Sequence, residues 1–442
     1  MKHWLLVFLV LQFLSVSLQG QVQAQDIELS PSDGGEYIFN KTECLSEAER
    51  EVIAIRLDAN RQALLQLGLL NENKSPIIAL FDWPVTHAPA LGYNNTWGIS
   101  NYVDHGAGTT LDDYDCGTRT YDGHKGIDIF TWPFPWYLKN NNLVHAVAAA
   151  PGTIIGKDDG NVDDHCTCSG NWNAVYVEHA DGSVAWYGHL KLGSLTPKNI
   201  GETVSTGEYL GVVASSGCST GPHLHFEVYK DQPYTNSNLI DPYAGPCNLL
   251  NVVTWWNDQP DYRKPTINAV LTHSATPIHG CPSNNEDPKF KDIFLPGQTV
   301  YTNFYYKDQM TGTTANYQLL RPNGTVYNSW MHNFTNTFNA SWWQYTWNLP
   351  VIGPFGTWTV TATYNGLTVS HEFQYLQNLP VLSGVGINTL DPVTELHVHD
   401  GALFIDNADK GIIIKGENGS CYKISVNVAG NLIAVLMPSC PN

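Results

Sequence analysis

The chain has 442 residues, which is too long for one compact core, so we expect two to four domains. Its 41 acidic and 22 basic residues give a formal net charge of −19. This charge excludes nucleic acid as an expected partner, because phosphate binding needs clustered lysines and arginines. An acidic surface resists aggregation and suits an exported protein.

The N-terminal residues 1–24 have the pattern of a secretory signal peptide. Lys2 gives a basic start, residues 4–16 are apolar, and a small-residue cleavage site follows at residues 22–24. The apolar run is shorter than the roughly 20 residues that cross a bilayer, and no later segment is long and apolar enough. We therefore predict a secreted protein, free or held at a cell surface, with no transmembrane span.

Nine cysteines in an exported chain predict disulfides. The odd count leaves one thiol free or paired between chains. Cys421 and Cys440 lie close together in the tail and are expected to pair. Cys166 and Cys168 are expected to pair elsewhere rather than with each other.

Residues 45–69 predict a helix. Ser46 and Glu49 fit a capping box at its start. The apolar residues with helical spacing are Ile53, Leu57, Leu64 and Leu67. The surrounding segment, residues 25–75, is either an inhibitory pro-segment or a helix packed on the next domain, and the sequence leaves both interpretations open.

Short strands and turns fill residues 76–250 and predict an antiparallel β domain. Residues 173–190 predict a hairpin, because Asp181 and Gly182 supply a tight turn between two strand-like runs. Residues 260–376 predict a second β unit, an immunoglobulin-like sandwich. In its strand "GTWTVTATY" the residues of one face are Trp358, Val360, Ala362 and Tyr364. Its other tryptophans, expected in the core rather than on sugar rings, are Trp330, Trp342, Trp343 and Trp347.

The tail, residues 381–442, resembles trimeric phage-fibre stalks over a short motif. The matching residues are Val385, Gly386, Ile387, Pro392, Leu396 and Val398, while Asn388 departs from the usual glycine. The resemblance implies a β-rich adhesive or trimerising appendage.

The predicted fold class of the whole chain is mainly all-β, with one N-terminal helix. We expect residues 260–442 to be dispensable for chemistry on a soluble peptide, so a chain ending near residue 246 should stay active.

Two short motifs hold candidate metal ligands. In "HKGID", a strand that bends at Gly126 would bring His124 and Asp128 onto one ion. In "GPHLHFEV", alternation puts His223 and His225 on one strand face, with Glu227 beside them. Two imidazoles and one carboxylate form a three-ligand zinc site with the fourth position open. Glu227 is expected either to orient a ligand or to be an ordinary strand glutamate.

These motifs, with "YGHL" between them, resemble the lysostaphin-type (LytM-like) zinc metallopeptidases. The resemblance covers roughly residues 76–250. It implies one zinc ion per chain, held by His124, Asp128 and His225. It also implies that His223 and His189 are the catalytic histidines.

Three functions follow as alternatives. The resemblance implies a secreted zinc endopeptidase that cuts peptidoglycan cross-bridges, often at glycine. A second alternative is cleavage of glycine-rich extracellular protein such as elastin, since an acidic chain is not drawn to anionic cell walls. The third is a non-catalytic adhesin, which the complete set of site residues disfavours. The pair His397 and His399 lacks a partner carboxylate and is expected to be solvated, and "DDHCTC" is expected to form disulfides rather than bind zinc.

Overall fold

The structure, a computed structural model, describes residues 27–28, 30–39, 43–281, 285–377, 385–387, 396–398, 412–415, 419–427 and 430–437. The predicted signal peptide lies outside the described residues. The chain divides into two compact units, Met1–Gln377 and Asn378–Asn442, and each is described by itself. Strands make up 40% of the structure and helices 7%, which confirms the predicted mainly all-β class.

An eight-stranded sheet lies at the centre of the first unit. Its strands are β4 (Trp97–Asn101), β5 (Gly126–Thr131), β7 (Gly152–Asp158), β8 (Ala174–His179), β9 (Val184–Gly188), β10 (Thr203–Val204), β12 (His223–Tyr229) and β13 (Leu239–Ile240). Their order is β10-β7-β8-β9-β12-β5-β4, with β13 paired to β12. The predicted hairpin is confirmed as β8 and β9, joined by a turn in which Gly182 has a φ of 87°.

One face of this sheet builds the main core. Leu224, Phe226 and Val228 alternate along β12 and are fully buried, as the sequence pattern predicts. Further elements that contribute to this core are β3 (Val85–His87), β6 (Val144–Val147), β11 (Tyr209–Val212) and the short helix α2 (Pro135–Asn140). The three strands form a second sheet in the order β11-β6-β3.

The long helix α1 (Glu47–Gln66) packs on the opposite face of the eight-stranded sheet. Ser46 and Glu49 form the predicted capping box. Of the four apolar residues with helical spacing, Ile53, Leu57 and Leu64 are buried against Trp172 and its neighbours. Leu67 is 70% exposed, because it is the C-cap residue and lies beyond the last buried turn.

Two further sheets pack face to face in the first unit. The strands of one are β1 (Ile27–Glu28), β15 (Ile293–Phe294), β17 (Thr314–Leu320), β18 (Val326–Asn333), β20 (Gly356–Tyr364) and β21 (Leu367–Tyr375), in the order β1-β18-β17-β20-β21-β15. The strands of the other are β2 (Asp33–Glu36), β14 (Thr266–His273), β16 (Thr299–Gln309) and β19 (Phe338–Asn348), in the order β14-β16-β19-β2. The arrangement is a two-layer β structure, and its immunoglobulin-like nature stays a prediction.

The tryptophans of this two-layer structure pack inward. Trp330 and Trp358 are buried in the core between its sheets, and Trp343 and Trp347 pack against that core. Trp342 packs against the main core of the first unit instead. Packing therefore accounts for these side chains, as expected.

Three disulfides link distant parts of the first unit. They are Cys116–Cys247, Cys166–Cys281 and Cys168–Cys218. Cys166 and Cys168 therefore pair with other partners, which confirms the prediction for them and the preference for disulfides over zinc in "DDHCTC". The division at residues 76–250 and 260–376 stays a prediction, since the contacts group everything up to Gln377 together.

The second unit consists of short strands. They are β22 (Val385–Ile387), paired in parallel with β23 (Leu396–Val398), and the antiparallel set β24 (Ile412–Lys415), β25 (Cys421–Val426) and β26 (Leu432–Leu436). Asn388, Pro392 and His399 lie outside the described residues, so the fibre-like motif and its trimer stay predictions. Cys421 is disulfide-bonded, and Cys440 lies outside the described residues. Within the described ranges, neither helix has the length and apolar character needed to cross a bilayer.

Candidate active site and metal centre

Three neighbouring strands bring the predicted site residues together. Asp128 lies on β5 directly opposite His225 on β12, and His124 lies in the turn that leads into β5. His223 is the first residue of β12, and His189 directly follows β9 on the other side. All five predicted residues therefore meet on the sheet face that α1 covers.

The three predicted ligands have the spacing of a metal centre. His124 Nε2 lies 3.1 Å from Asp128 Oδ1 and 3.4 Å from His225 Nδ1. His225 Nδ1 lies 2.9 Å from the same carboxylate oxygen. Donor atoms bound to zinc at about 2.0–2.1 Å in a tetrahedron lie about 3.3–3.4 Å apart. All three side chains are buried, so the donor set fits one small ion.

Hydrogen bonds on the far side of each imidazole determine which nitrogen is free. His124 Nδ1 donates to the Tyr102 carbonyl at 2.7 Å, which leaves the lone pair of Nε2 for a metal. His225 Nε2 donates to Glu227 Oε2 at 2.8 Å, which leaves the lone pair of Nδ1. Such outer partners orient metal-binding histidines and select their tautomer. Glu227 therefore orients a candidate ligand, the first of its two expected roles.

Glu227 is ionised in this buried position. Burial opposes its charge, but Arg50 and His225 outweigh burial and lower the pKa of Glu227 to about 2. Arg50 lies on α1, and it donates to the Glu227 carboxylate with both side chains buried. Tyr229 donates to the same carboxylate. The sequence analysis missed Arg50, because its partner is far away in the chain.

Asp128 is held by a side chain from the next strand. Asn101 Nδ2 donates to Asp128 Oδ2 at 3.0 Å and leaves Oδ1 facing the two histidines. Only glycine fits at position 126, since a Cβ there would lie 2.6 Å from Cε1 of His225. The predicted bend within a strand at Gly126 is not observed: β5 begins at Gly126, and the chain turns earlier, at residues 122–123, where Gly123 has a φ of 74°.

The two remaining histidines face the ligand group with matching tautomers. His189 Nδ1 donates to the Ser216 carbonyl at 2.6 Å, and His223 Nδ1 donates to the Gly221 carbonyl at 2.9 Å. Their rings lie 4.4 Å apart. Burial, together with His223, lowers the pKa of His189, so its ring is neutral near pH 7. Among the described residues, its buried Nε2 has no hydrogen-bond partner, whereas His223 Nε2 lies 3.9 Å from Cys44 Sγ.

A cysteine that the sequence analysis did not assign to the site also lies there. Cys44 Sγ is 3.7 Å from Asp128 Oδ1, 3.9 Å from His223 Nε2 and 3.2 Å from the Tyr121 hydroxyl. Cys44 is buried and is the free thiol among the described cysteines. The odd cysteine count was the signal that could have drawn attention to it.

Comparisons with known proteins match the part of the chain that holds these residues. Residues 123–242 match the model of Peptidase family M23. Over 81 residues the chain is 41% identical to the DD-carboxypeptidase/endopeptidase Mpg of Neisseria meningitidis serogroup B, and the matched stretch covers 18% of each protein. Over 109 residues it is 28% identical to the peptidoglycan DD-endopeptidase ShyC of Vibrio cholerae, which covers 25% of this chain and 24% of that relative.

The matched part is a small fraction of these relatives, 18% of Mpg and 24% of ShyC. Among solved structures, the catalytic domain of the prophage-encoded M23 protein EnpA from Enterococcus faecalis is 24% identical, with a TM-score of 0.22. That match covers 38% of this chain and 96% of the EnpA domain. The family match and the peptidase relatives thus support a peptidase domain of family M23 over residues 123–242.

Proposed function

We propose that this chain is a secreted zinc metalloendopeptidase that hydrolyses peptide bonds, with glycine beside the cleaved bond, in peptidoglycan cross-bridges. The observation that carries the proposal is the convergence of three donor atoms from His124, Asp128 and His225 beside two further imidazoles, whose Nδ1 atoms both donate to backbone carbonyls. The names of the relatives Mpg and ShyC support peptidoglycan as the substrate class.

In this proposal His124 Nε2, Asp128 Oδ1 and His225 Nδ1 hold one zinc ion. A bound zinc ion supplies a Lewis acid that polarises the peptide carbonyl and acidifies water. Glu227 and the Tyr102 carbonyl keep the two ligand imidazoles in the tautomers that binding requires.

His223 and His189 move the proton. His223 Nε2 accepts a proton from the attacking water, and the Gly221 carbonyl that accepts from its Nδ1 stabilises the resulting imidazolium. The proton then passes to the leaving amine nitrogen. His189 Nε2 lies beside the same space. Its ring is neutral near pH 7, so it supports the developing oxyanion or the transfer to the amine only after Nε2 has accepted a proton of the attacking water.

A second candidate substrate is glycine-rich extracellular protein such as elastin. The net charge of −19 favours it, because an acidic enzyme is not attracted to anionic cell walls. A purely adhesive role is disfavoured, since a binding module does not need two histidines oriented beside a set of metal-binding donor atoms.

The test is hydrolysis by the purified, zinc-loaded chain of cell-wall sacculi and of elastin side by side, with products identified by mass spectrometry. Each sample is assayed before and after limited proteolysis, because the N-terminal segment covers the site. We expect cross-bridge fragments that end at glycine, and loss of hydrolysis when a chelator removes the zinc. Hydrolysis that survives complete zinc removal would contradict the proposal, as would an absence of cleavage in every sample.

A further inference from the structure

We propose that Cys44 is the fourth ligand of the metal and that the chain therefore folds in a latent state, closed by its own N-terminal segment. The inference rests on the proposed zinc centre and concerns its regulation. It explains why an exported chain keeps an unpaired thiol buried among ionisable groups.

The position of the thiol fits the missing corner of a tetrahedron. A sulfur bound to zinc at about 2.3 Å and an oxygen bound at about 2.0–2.1 Å lie about 3.6 Å apart at the tetrahedral angle. Cys44 Sγ lies 3.7 Å from Asp128 Oδ1. The donor atoms of Cys44, His124, Asp128 and His225 all lie within 4.8 Å of one another, and all four side chains are buried.

The surroundings of Cys44 are those of a ligand rather than of a core cysteine. A structural cysteine packs as a small apolar residue. The groups around Cys44 Sγ are instead imidazoles, a carboxylate and the Tyr121 hydroxyl. Thiolate is a preferred zinc ligand, and four protein ligands make a closed site of the kind that proteins use for structural zinc. A closed site has no position left for a reacting water.

The segment around Cys44 is anchored on both sides of the site. After it, Arg50 on α1 pairs with the buried Glu227, and Glu47 pairs with Lys125. Before it, the ring of Phe39 stacks on Phe130 at 3.9 Å between centroids. The cavity that remains beside Asp128, His223 and Phe39 has a volume of about 20 Å³. A space of this size admits roughly one water molecule and no peptide.

The decisive experiment uses the full chain with its disulfides intact and with cobalt(II) in place of zinc. Cobalt bound by a thiolate gives an intense ligand-to-metal charge-transfer band in the near ultraviolet, and tetrahedral cobalt gives separate visible bands. We expect the wild-type chain to show both. Cys44→Ala should bind cobalt and lose the ultraviolet band. Ser46→Ala, which weakens the cap of α1 but removes no donor atom, should keep it.

Activity supplies the second readout. Cys44→Ala is expected to hydrolyse a soluble glycine-containing peptide at least about tenfold faster than the wild type, since the N-terminal segment then lacks its bond to the metal and leaves the site more often. Wild-type protein that binds cobalt without a thiolate band would overturn the inference, and so would a band that persists in Cys44→Ala. If Cys44→Ala does not fold, the wild-type spectrum still decides. A band in the wild type together with no hydrolysis by a folded, zinc-loaded Cys44→Ala protein, before and after limited proteolysis, would contradict the peptidase proposal and leave the ligand assignment standing.

Discussion

Glu227 connects the metal centre to the helix that covers it. One of its oxygens accepts from His225, and the other accepts from Arg50. Both members of the ion pair with Arg50 are buried, at 0% and 5% side-chain exposure. Removing one member of such a buried ion pair costs more stability than forming the pair contributes, because the remaining charge is left buried without a partner. The same carboxylate therefore serves ligand orientation and helix docking.

Replacing Glu227 with glutamine should weaken both the orientation of His225 and the docking of α1. Arg50 keeps an uncompensated buried charge, so we expect the free energy of unfolding to fall by about 3 kcal/mol. Zinc affinity should fall roughly 10- to 100-fold, since His225 loses its charged outer partner. Denaturant unfolding and competition with a metal-binding dye measure the two effects. Glu47→Gln is the matched control, because Glu47 pairs with Lys125 but is 75% exposed and should change stability by less than about 1 kcal/mol. Equal losses in both variants would contradict the role of burial.

In a Cys44→Ala background, variants of the proposed ligands should lose the metal, whereas variants of the proposed catalytic histidines should keep it. Asp128→Ala and His225→Ala remove donor atoms and should lose the metal by elemental analysis. His223→Ala and His189→Ala should keep about one zinc per chain and lose turnover by about 10² or more, the usual scale for a positioned acid or base. If His223→Ala also lost the zinc, the assignment within the pair His223 and His225 would be reversed.

At the scale of elements, the alternation of side chains along β12 predicts which of them face the candidate site. On β12 it correctly separates Leu224, Phe226 and Val228 in the core from His223 and His225 on the site face. The helix α1 and its capping box were also predictable, because capping is local. The roles of Arg50 and Cys44 were not, since each acts on a partner brought close only by the tertiary fold.

The short helix α2 depends on a loop that precedes β15. Its N-cap residue, Phe134, provides no side-chain hydrogen bond, and the carboxyl group of Glu286 accepts from the Tyr137 backbone N–H at 2.7 Å instead. Burial raises the pKa of Glu286 to about 8, despite this hydrogen bond. The loop therefore caps α2 with a carboxyl group that keeps its proton at neutral pH.

This raised pKa predicts a pH dependence of stability. An unfolded chain releases the Glu286 proton near pH 4.5, while the folded chain holds it to about pH 8. The folded state binds more protons between these values, so the Glu286 contribution makes the unfolding free energy fall as pH rises through this window. Glu286→Gln keeps a hydrogen-bond acceptor that cannot become charged. The Tm of this variant minus the Tm of the wild type should therefore increase from pH 5 to pH 8. Parallel Tm curves for the two proteins would contradict this expectation.

At the scale of the whole molecule, the first unit is held together across the predicted boundary near residue 250. Cys166 pairs with Cys281 across this boundary, over a sequence separation of 115 residues, while Cys116 pairs with Cys247 just before it. Tyr305, from β16, is fully buried in the same core as the strands of the peptidase region. The sequence could not show this, because alternation reveals which face of a strand is apolar but not which other sheet covers it.

Two truncations test this organisation. A chain that ends at residue 246 loses Cys247 and Cys281, and each disulfide contributes about 4–5 kcal/mol for a loop of this length. Contrary to the sequence-based expectation, we expect this fragment not to fold. A chain that ends at Gln377 keeps the whole first compact unit and should retain the wild-type Tm of that unit. Circular dichroism and thiol counting report the outcomes. A folded, active fragment ending at residue 246 would show that the shared core is dispensable.

The N-terminal segment also completes two sheets. Strand β2 pairs with β19 at the edge of one sheet, and β1 pairs with β18 at the edge of the other. If proteolysis activates the enzyme by removing this segment, both edges lose their outer strand and expose unpaired backbone N–H and C=O groups. Exposed edges of this kind add extended chains, from other proteins or from other copies of the same protein. Activation would thus create two adhesive strand edges on the molecule in the same step that opens its active site.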